Sequence, residues 1–163
     1  MAVLLRHLHF IRWELLILAS LPVVRFVLEV GGVPLRLTEF ISLWGFQLIL
    51  VVVLPFRVVR HDFGGYANLW VLVGLCCVTG FEVVTLLVAL NYWHPMPTYY
   101  ASNGAAHLGY SAQHHLLSHL FVTPFVSTIT SGLIATPIYF LARGMRAQQA
   151  PLQGTIANST QTP

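Results

Sequence analysis

Four of the chain's eight histidines fall in one short stretch, HLGYSAQHHLLSH, running from His107 to His119, and no formally charged residue lies among them. Histidine is the commonest metal ligand and titrates near neutrality, so this stretch is a candidate ligand set. His115 and His119 stand four residues apart. On a helix they share a face and present two ring nitrogens to one metal ion. His94 or His107 would bring a third ligand from the preceding loop, and an open fourth position would suit zinc or copper. No Asp or Glu follows Glu82, so the second half of the chain offers no carboxylate to such a site. His94, His107, His114, His115 and His119 are therefore the candidate cofactor-binding residues, for a metal, a haem, a chlorin or a quinone. A bis-histidine haem needs His deep in two helices, whereas His94 and His119 belong to one outer edge. A single axial ligand is the haem arrangement left. The simpler reading is interfacial: the imidazole ring is amphipathic and suits the wet end of a membrane helix. Ser111 stands where it would cap that helix.

The elements that must position these groups are membrane helices. The chain has 163 residues, of which 56% are hydrophobic and 8% charged, and its mean hydropathy is +0.75. A soluble domain carries about 25% charged residues. So few charges cannot cover a water-facing surface, and the bilayer is the expected solvent. The net charge of +3 is too small and too scattered for a nucleic-acid partner. All eight basic side chains are Arg. Cys76 and Cys77 are adjacent in an apolar run, where they read as small buried side chains rather than a disulfide or redox motif.

The apolar runs predict an all-α integral membrane protein, a four-helix transmembrane bundle. Its spans fall at about residues 13–33, 39–59, 68–93 and 115–142, within one domain of residues 1–145. The first is the least clear, because Arg25 and Glu29 lie inside it ahead of Gly31 and Gly32; an interfacial or re-entrant segment is the alternative. Residues 146–163 form a polar tail whose composition, taken alone, predicts disorder. Arg6, Arg12, Arg57, Arg60, Arg143 and Arg146 all fall on one side of four alternating helices, and Arg36 alone lies on the other. The positive-inside rule then makes both termini cytoplasmic, as in a bacterial inner membrane, with the loop from His94 to His114 outside. His7, His9 and His61 sit beside arginines on the cytoplasmic edge and read as headgroup anchors. Trp13, Trp70, Tyr92, Trp93 and Tyr139 lie near span ends, where aromatic belts belong.

Counted from the cytoplasmic ends, Arg25, Gln47, Glu82 and Thr130 each lie about 17–20 Å along their helix axes. One polar group per span therefore falls near a common depth. A lone charge there costs about 2.5–3.5 kcal/mol even on the lenient insertion scale. The expectation is that Arg25 meets Glu82 with Gln47 beside them; Arg25 could instead pair with Glu29, four residues on. Such a layer serves as glue between helices or as a proton, quinone or ion site. Span four carries two small-residue stripes, Ser127–Ser131–Ala135 and Thr128–Gly132–Thr136, which allow close approach to a neighbouring span or another protein.

No nucleotide-binding, nucleophile-elbow or metalloprotease motif occurs. The first expectation is a non-catalytic accessory subunit of a larger membrane complex, with the bilayer and other subunits as partners; a respiratory or photosynthetic assembly is the type in view. The second is a membrane redox protein using the outer histidines. The third is a small oligomeric transporter or channel.

Overall fold

The structure is a computed structural model that describes residues 2–100 and 111–159, the side chains of Ala112 and residues 149–159 excepted. The described residues are 84% helix, and no strand occurs among them. In chain order the elements are α1 (Ala2–Phe10), α2 (Arg12–Val30), the single turn α3 (Leu35–Thr38), α4 (Leu43–Arg60), α5 (Tyr66–Trp93) and α6 (Ala112–Leu117). A π-helical turn (Ser118–Val122) then joins α6 to α7 (Thr123–Ser159).

Three stretches are long and apolar enough to cross a membrane: Leu35–Arg60, Tyr66–Trp93 and Gln113–Gln148. They contain α4, α5 and the α6–α7 rod, the second to fourth spans read from the sequence. Helix α2 packs with them as a fourth long element, touching α4 and α5. Its composition is less apolar, since Arg12, Glu14, Arg25 and Glu29 fall within its 19 residues. It also stops at Val30 rather than Val33. Gly31 caps it, and Gly32 turns the chain at φ +88°, a conformation that favours glycine.

Helix α5 is apolar round most of its circumference, Glu82 excepted, and touches α2, α4 and α7. Its buried residues include Leu69, Leu72, Cys76 and Cys77, which join Leu18, Leu50, Leu54 and Ala135 in the main core. A second cluster of Phe26, Val84, Leu87, Val88 and Tyr100 lies beside it. Lipid tails are as apolar as leucine, so shape rather than water exclusion holds such contacts within a membrane. Both small-residue stripes of α7 are used inside the chain. Ser127, Ser131 and Ala135 are buried. Thr136 Oγ1 lies 3.0 Å from the Tyr66 hydroxyl. At Gly132 an added Cβ would come within 2.4 Å of the Trp70 ring, so the indole lies directly on the α7 backbone. Trp70 and the buried Tyr139 thus pack between helices, while Trp13 and Trp93 are exposed at helix ends.

The expected basic side is one end of the packed set. Arg57 Nη2 donates to Phe10 O at 3.0 Å, and its other amine pairs with Glu14. The turn between α4 and α5 holds Asp62 at φ +49°, a left-handed conformation that Asp tolerates, and Arg146 grips its carboxylate, one oxygen at 2.6 Å. His7 is a correction to the headgroup reading. It is buried, with Nε2 2.8 Å from Asn68 Oδ1 and Nδ1 2.7 Å from Val3 O. The chain beyond residue 146 also departs from its disordered expectation, since α7 continues to Ser159. Ala and Gln are good helix formers, and extending a formed helix carries no nucleation cost.

Candidate functional site

The four-residue polar layer does not form. Three separate arrangements replace it, and each follows from where a helix stops or which way a residue faces.

Arg25 pairs with Glu29, not Glu82. Its Nε donates to Glu29 Oε1 at 2.8 Å along one face of α2. Because α2 ends at Val30, this pair lies near a helix end, and flanking segments reach it. Thr38 of α3 donates its hydroxyl to the same carboxylate oxygen at 2.6 Å. The backbone N–H of Tyr99, in the segment after α5, donates to Oε2 at 2.7 Å. The Tyr99 ring stacks on the Arg25 guanidinium, 3.9 Å from Cζ to centroid. Tyr100 is buried beside Phe26, and its hydroxyl donates to Pro22 O at 3.4 Å. Burial pushes the Tyr100 phenol well above its usual range. Asn91 extends the clasp by donating to Thr98 Oγ1 at 2.9 Å and Met96 O at 3.2 Å. Glu29 therefore ties α2, α3 and the segment after α5 together. Sequence reading raised Glu29 only as the alternative partner and missed Thr38, Tyr99 and Tyr100. The one available signal was the helix break at Gly31 and Gly32.

Gln47 does reach neighbouring helices. Its amide donates to Cys77 Sγ at 2.8 Å and Ser131 Oγ at 3.1 Å, joining α4, α5 and α7. Thr130, one residue before Ser131, faces outward and donates back to Val126 O at 2.8 Å. A single residue is a rotation of about 100°, which exchanges the inner and outer faces.

Glu82 stands apart. It lies in the middle of α5, half-buried in an open groove between α5 and α7. Gly74, Val78, Phe121, Pro124 and Phe125 line that groove, with Thr128 the other polar residue. Among the described residues Glu82 makes no ion pair; the three salt bridges use Glu29, Glu14 and Asp62.

The histidines separate in the same way. His94 is exposed at the end of α5, and His107 lies outside the described residues. His114 is exposed, with Nδ1 3.0 Å from the Ser111 hydroxyl; that hydroxyl also accepts from the His114 backbone N–H, as the cap expected for the helix. His115 and His119 do meet, with their Nε2 atoms 3.1 Å apart. The Tyr92 hydroxyl, from α5, lies 2.9 Å from His115 Nδ1. No cluster of three or more His, Cys, Asp or Glu able to hold a metal occurs among the described residues. Just beyond His119 the π-turn meets Pro124, which has no N–H to donate. The wide turn takes up the mismatch, and the Thr123 hydroxyl donates to Ser118 O at 3.1 Å.

Comparison with family models, with curated proteins and with solved structures found no match to this chain.

Proposed function

We propose that this protein is a non-catalytic subunit of a larger integral-membrane assembly, and that the Glu82 groove receives a transmembrane helix of a different protein. The observation that carries the reading is an acid at mid-helix with no cation to answer it, opening onto the outer surface of three membrane-length helices. A carboxylate at that depth is costly unless a basic or hydrogen-bonding group meets it. The chain's own arginines are committed elsewhere. Arg25, Arg57 and Arg146 are ion-paired, and Arg6 and Arg12 lie over aromatic rings. Arg36 and Arg60 are exposed near helix ends, and Arg143 is exposed within α7. A second copy of the chain therefore offers no counter-charge at the matching depth, whereas a foreign helix bearing Arg or Lys does. In this reading α2 crosses as a fourth span, and the arginine-rich end carries both termini on the cytoplasmic side of an inner membrane.

The test is affinity purification of the full-length chain from its native membranes in mild detergent, with Glu82→Leu and Glu82→Asp compared with wild type. A photo-crosslinking residue at Phe121 marks the groove. Expected is one protein that crosslinks from position 121, carries a basic residue in a membrane helix and stays with Glu82→Asp. Its recovery should fall about tenfold with Glu82→Leu, the scale of a membrane interhelical polar contact of 1–2 kcal/mol. Equal recovery with Glu82→Leu, or a wild-type chain that purifies alone, overturns the proposal.

A further inference from the structure

The paired imidazoles of the fourth rod, which meet Tyr92 of α5, line neither the Glu82 groove nor the Glu29 clasp. We infer that His115 and His119 form a two-imidazole site for a single zinc or copper(II) ion at the outer edge of the bundle, with Tyr92 fixing the orientation of His115.

The argument starts from the separation of the nitrogens. His115 Nε2 and His119 Nε2 lie 3.1 Å apart. With metal–nitrogen bonds of about 2.0–2.1 Å, that separation subtends roughly 95–102° at a shared ion. The angle falls between the square-planar and tetrahedral values and excludes a linear two-coordinate ion, for which the nitrogens would stand about 4 Å apart. In the empty pair one proton sits between the two nitrogens, donated by one ring to the lone pair of the other. An ion takes its place when both rings adopt the tautomer with the proton on Nδ1.

The surroundings permit that tautomer at His115. Its Nδ1 lies 2.9 Å from the Tyr92 hydroxyl, so an Nδ1–H has the phenol oxygen as acceptor. This is the outer-shell partner that metal-bound imidazoles usually possess. At His119, Nδ1 is shut away from solvent with no partner, which leaves Nε2 as the nitrogen facing shared space. The two rings meet edge to face, with centroids 4.8 Å apart. That arrangement suits an ion and not a macrocycle, because the second ring fills the space a porphyrin plane would need before the first. With neutral ligands only, the ion keeps its charge and takes water at its remaining positions. Imidazole nitrogen and borderline character select zinc and copper over magnesium or calcium.

The experiment uses the full-length, metal-stripped protein in detergent at pH 7.5, titrated with Zn²⁺ or Cu²⁺ alone. Affinity is read by calorimetry, and the copper form is read by the nitrogen hyperfine structure of its electron paramagnetic resonance spectrum. Expected is one ion per chain with two coupled ring nitrogens. His115→Gln and His119→Gln should each weaken binding at least about tenfold, and Tyr92→Phe by about tenfold with the stoichiometry kept. His114→Gln should leave affinity unchanged. A readout that needs no variant is carbethoxylation of the wild-type protein, where Zn²⁺ should protect His115 and His119 but not His114. The inference is overturned if either histidine variant binds as wild type does, if His114→Gln weakens binding equally, or if Zn²⁺ protects neither ring.

Discussion

Glu29 and Glu82 are the same side chain in two long helices of one small protein, and they are treated in opposite ways. Glu29 is fully enclosed, and both its oxygens accept hydrogen bonds, from Arg25 Nε, the Thr38 hydroxyl and the Tyr99 backbone. Glu82 sits half-buried in a groove lined mainly by apolar side chains, with no cation against it among the described residues. What separates them is proximity to a chain break. Glu29 lies one residue before the end of α2, so a turn and a loop can fold over it with their own donors. Glu82 lies in the body of α5, where neighbouring backbone donors are already spent in the helix. An acid near a helix end can be satisfied from within the chain. An acid at mid-helix must be met by another side chain.

The strongest test of this contrast removes the enclosed acid. Glu29→Leu leaves the Arg25 guanidinium buried without its partner and should destabilise the protein by about 3–5 kcal/mol. The measurement is unfolding in mixed micelles, with proteolysis of the outer loop as a local readout. The double variant Arg25→Leu with Glu29→Leu should recover most of that loss, because the stranded charge goes with its partner. No recovery would mean that the loop contacts, and not the ion pair, carry the energy.

A smaller effect separates the donors. Thr38→Val deletes one hydrogen bond to the carboxylate but keeps Arg25 and Tyr99 in place, and should cost about 1.5–3 kcal/mol in the same assay. A loss as large as that of Glu29→Leu would show that α3 is the keystone of the clasp.

The least effect is expected at the exposed pair. Hydrogen bonding from Arg146 holds the Asp62 carboxyl below the usual carboxylate range. A depressed value stabilises the fold above the unfolded-state pKa of about 3.9, and the contribution is lost as pH falls through the lower folded value. Asp62→Asn should therefore differ from wild type only slightly at neutral pH and low salt. The difference should vanish in strong acid and shrink at high ionic strength. A difference that persisted under either condition would assign Asp62 a role beyond the ion pair, such as holding its left-handed turn.

Composition and the long, nearly uncharged runs of α4, α5 and α7 made the helical fold legible, because each is long and apolar enough to cross a membrane. The Ser111 cap and the His115–His119 pair were legible because both depend on local spacing along one helix. The depth argument failed for Arg25 and Thr130, and in each case for a physical reason. It counted Arg25 from the start of α2 and gave its height but not its partner, which is Glu29 one turn on along the same face. It also fixed height along the axis but not rotation about it, so Thr130 stood in for Ser131 on the inner face. The partnership of Thr38 and Tyr99 with Glu29 was hidden because it joins segments far apart in sequence through a single carboxylate. Trp70 likewise read as a belt residue, since nothing local reveals that Gly132 leaves room for its ring.

The segment after α5 is fastened at Tyr99 by a main-chain N–H rather than by a side-chain group alone. Every amino acid except proline brings that donor. The main-chain bond to Glu29 therefore tolerates any residue but proline at position 99, whatever its side chain.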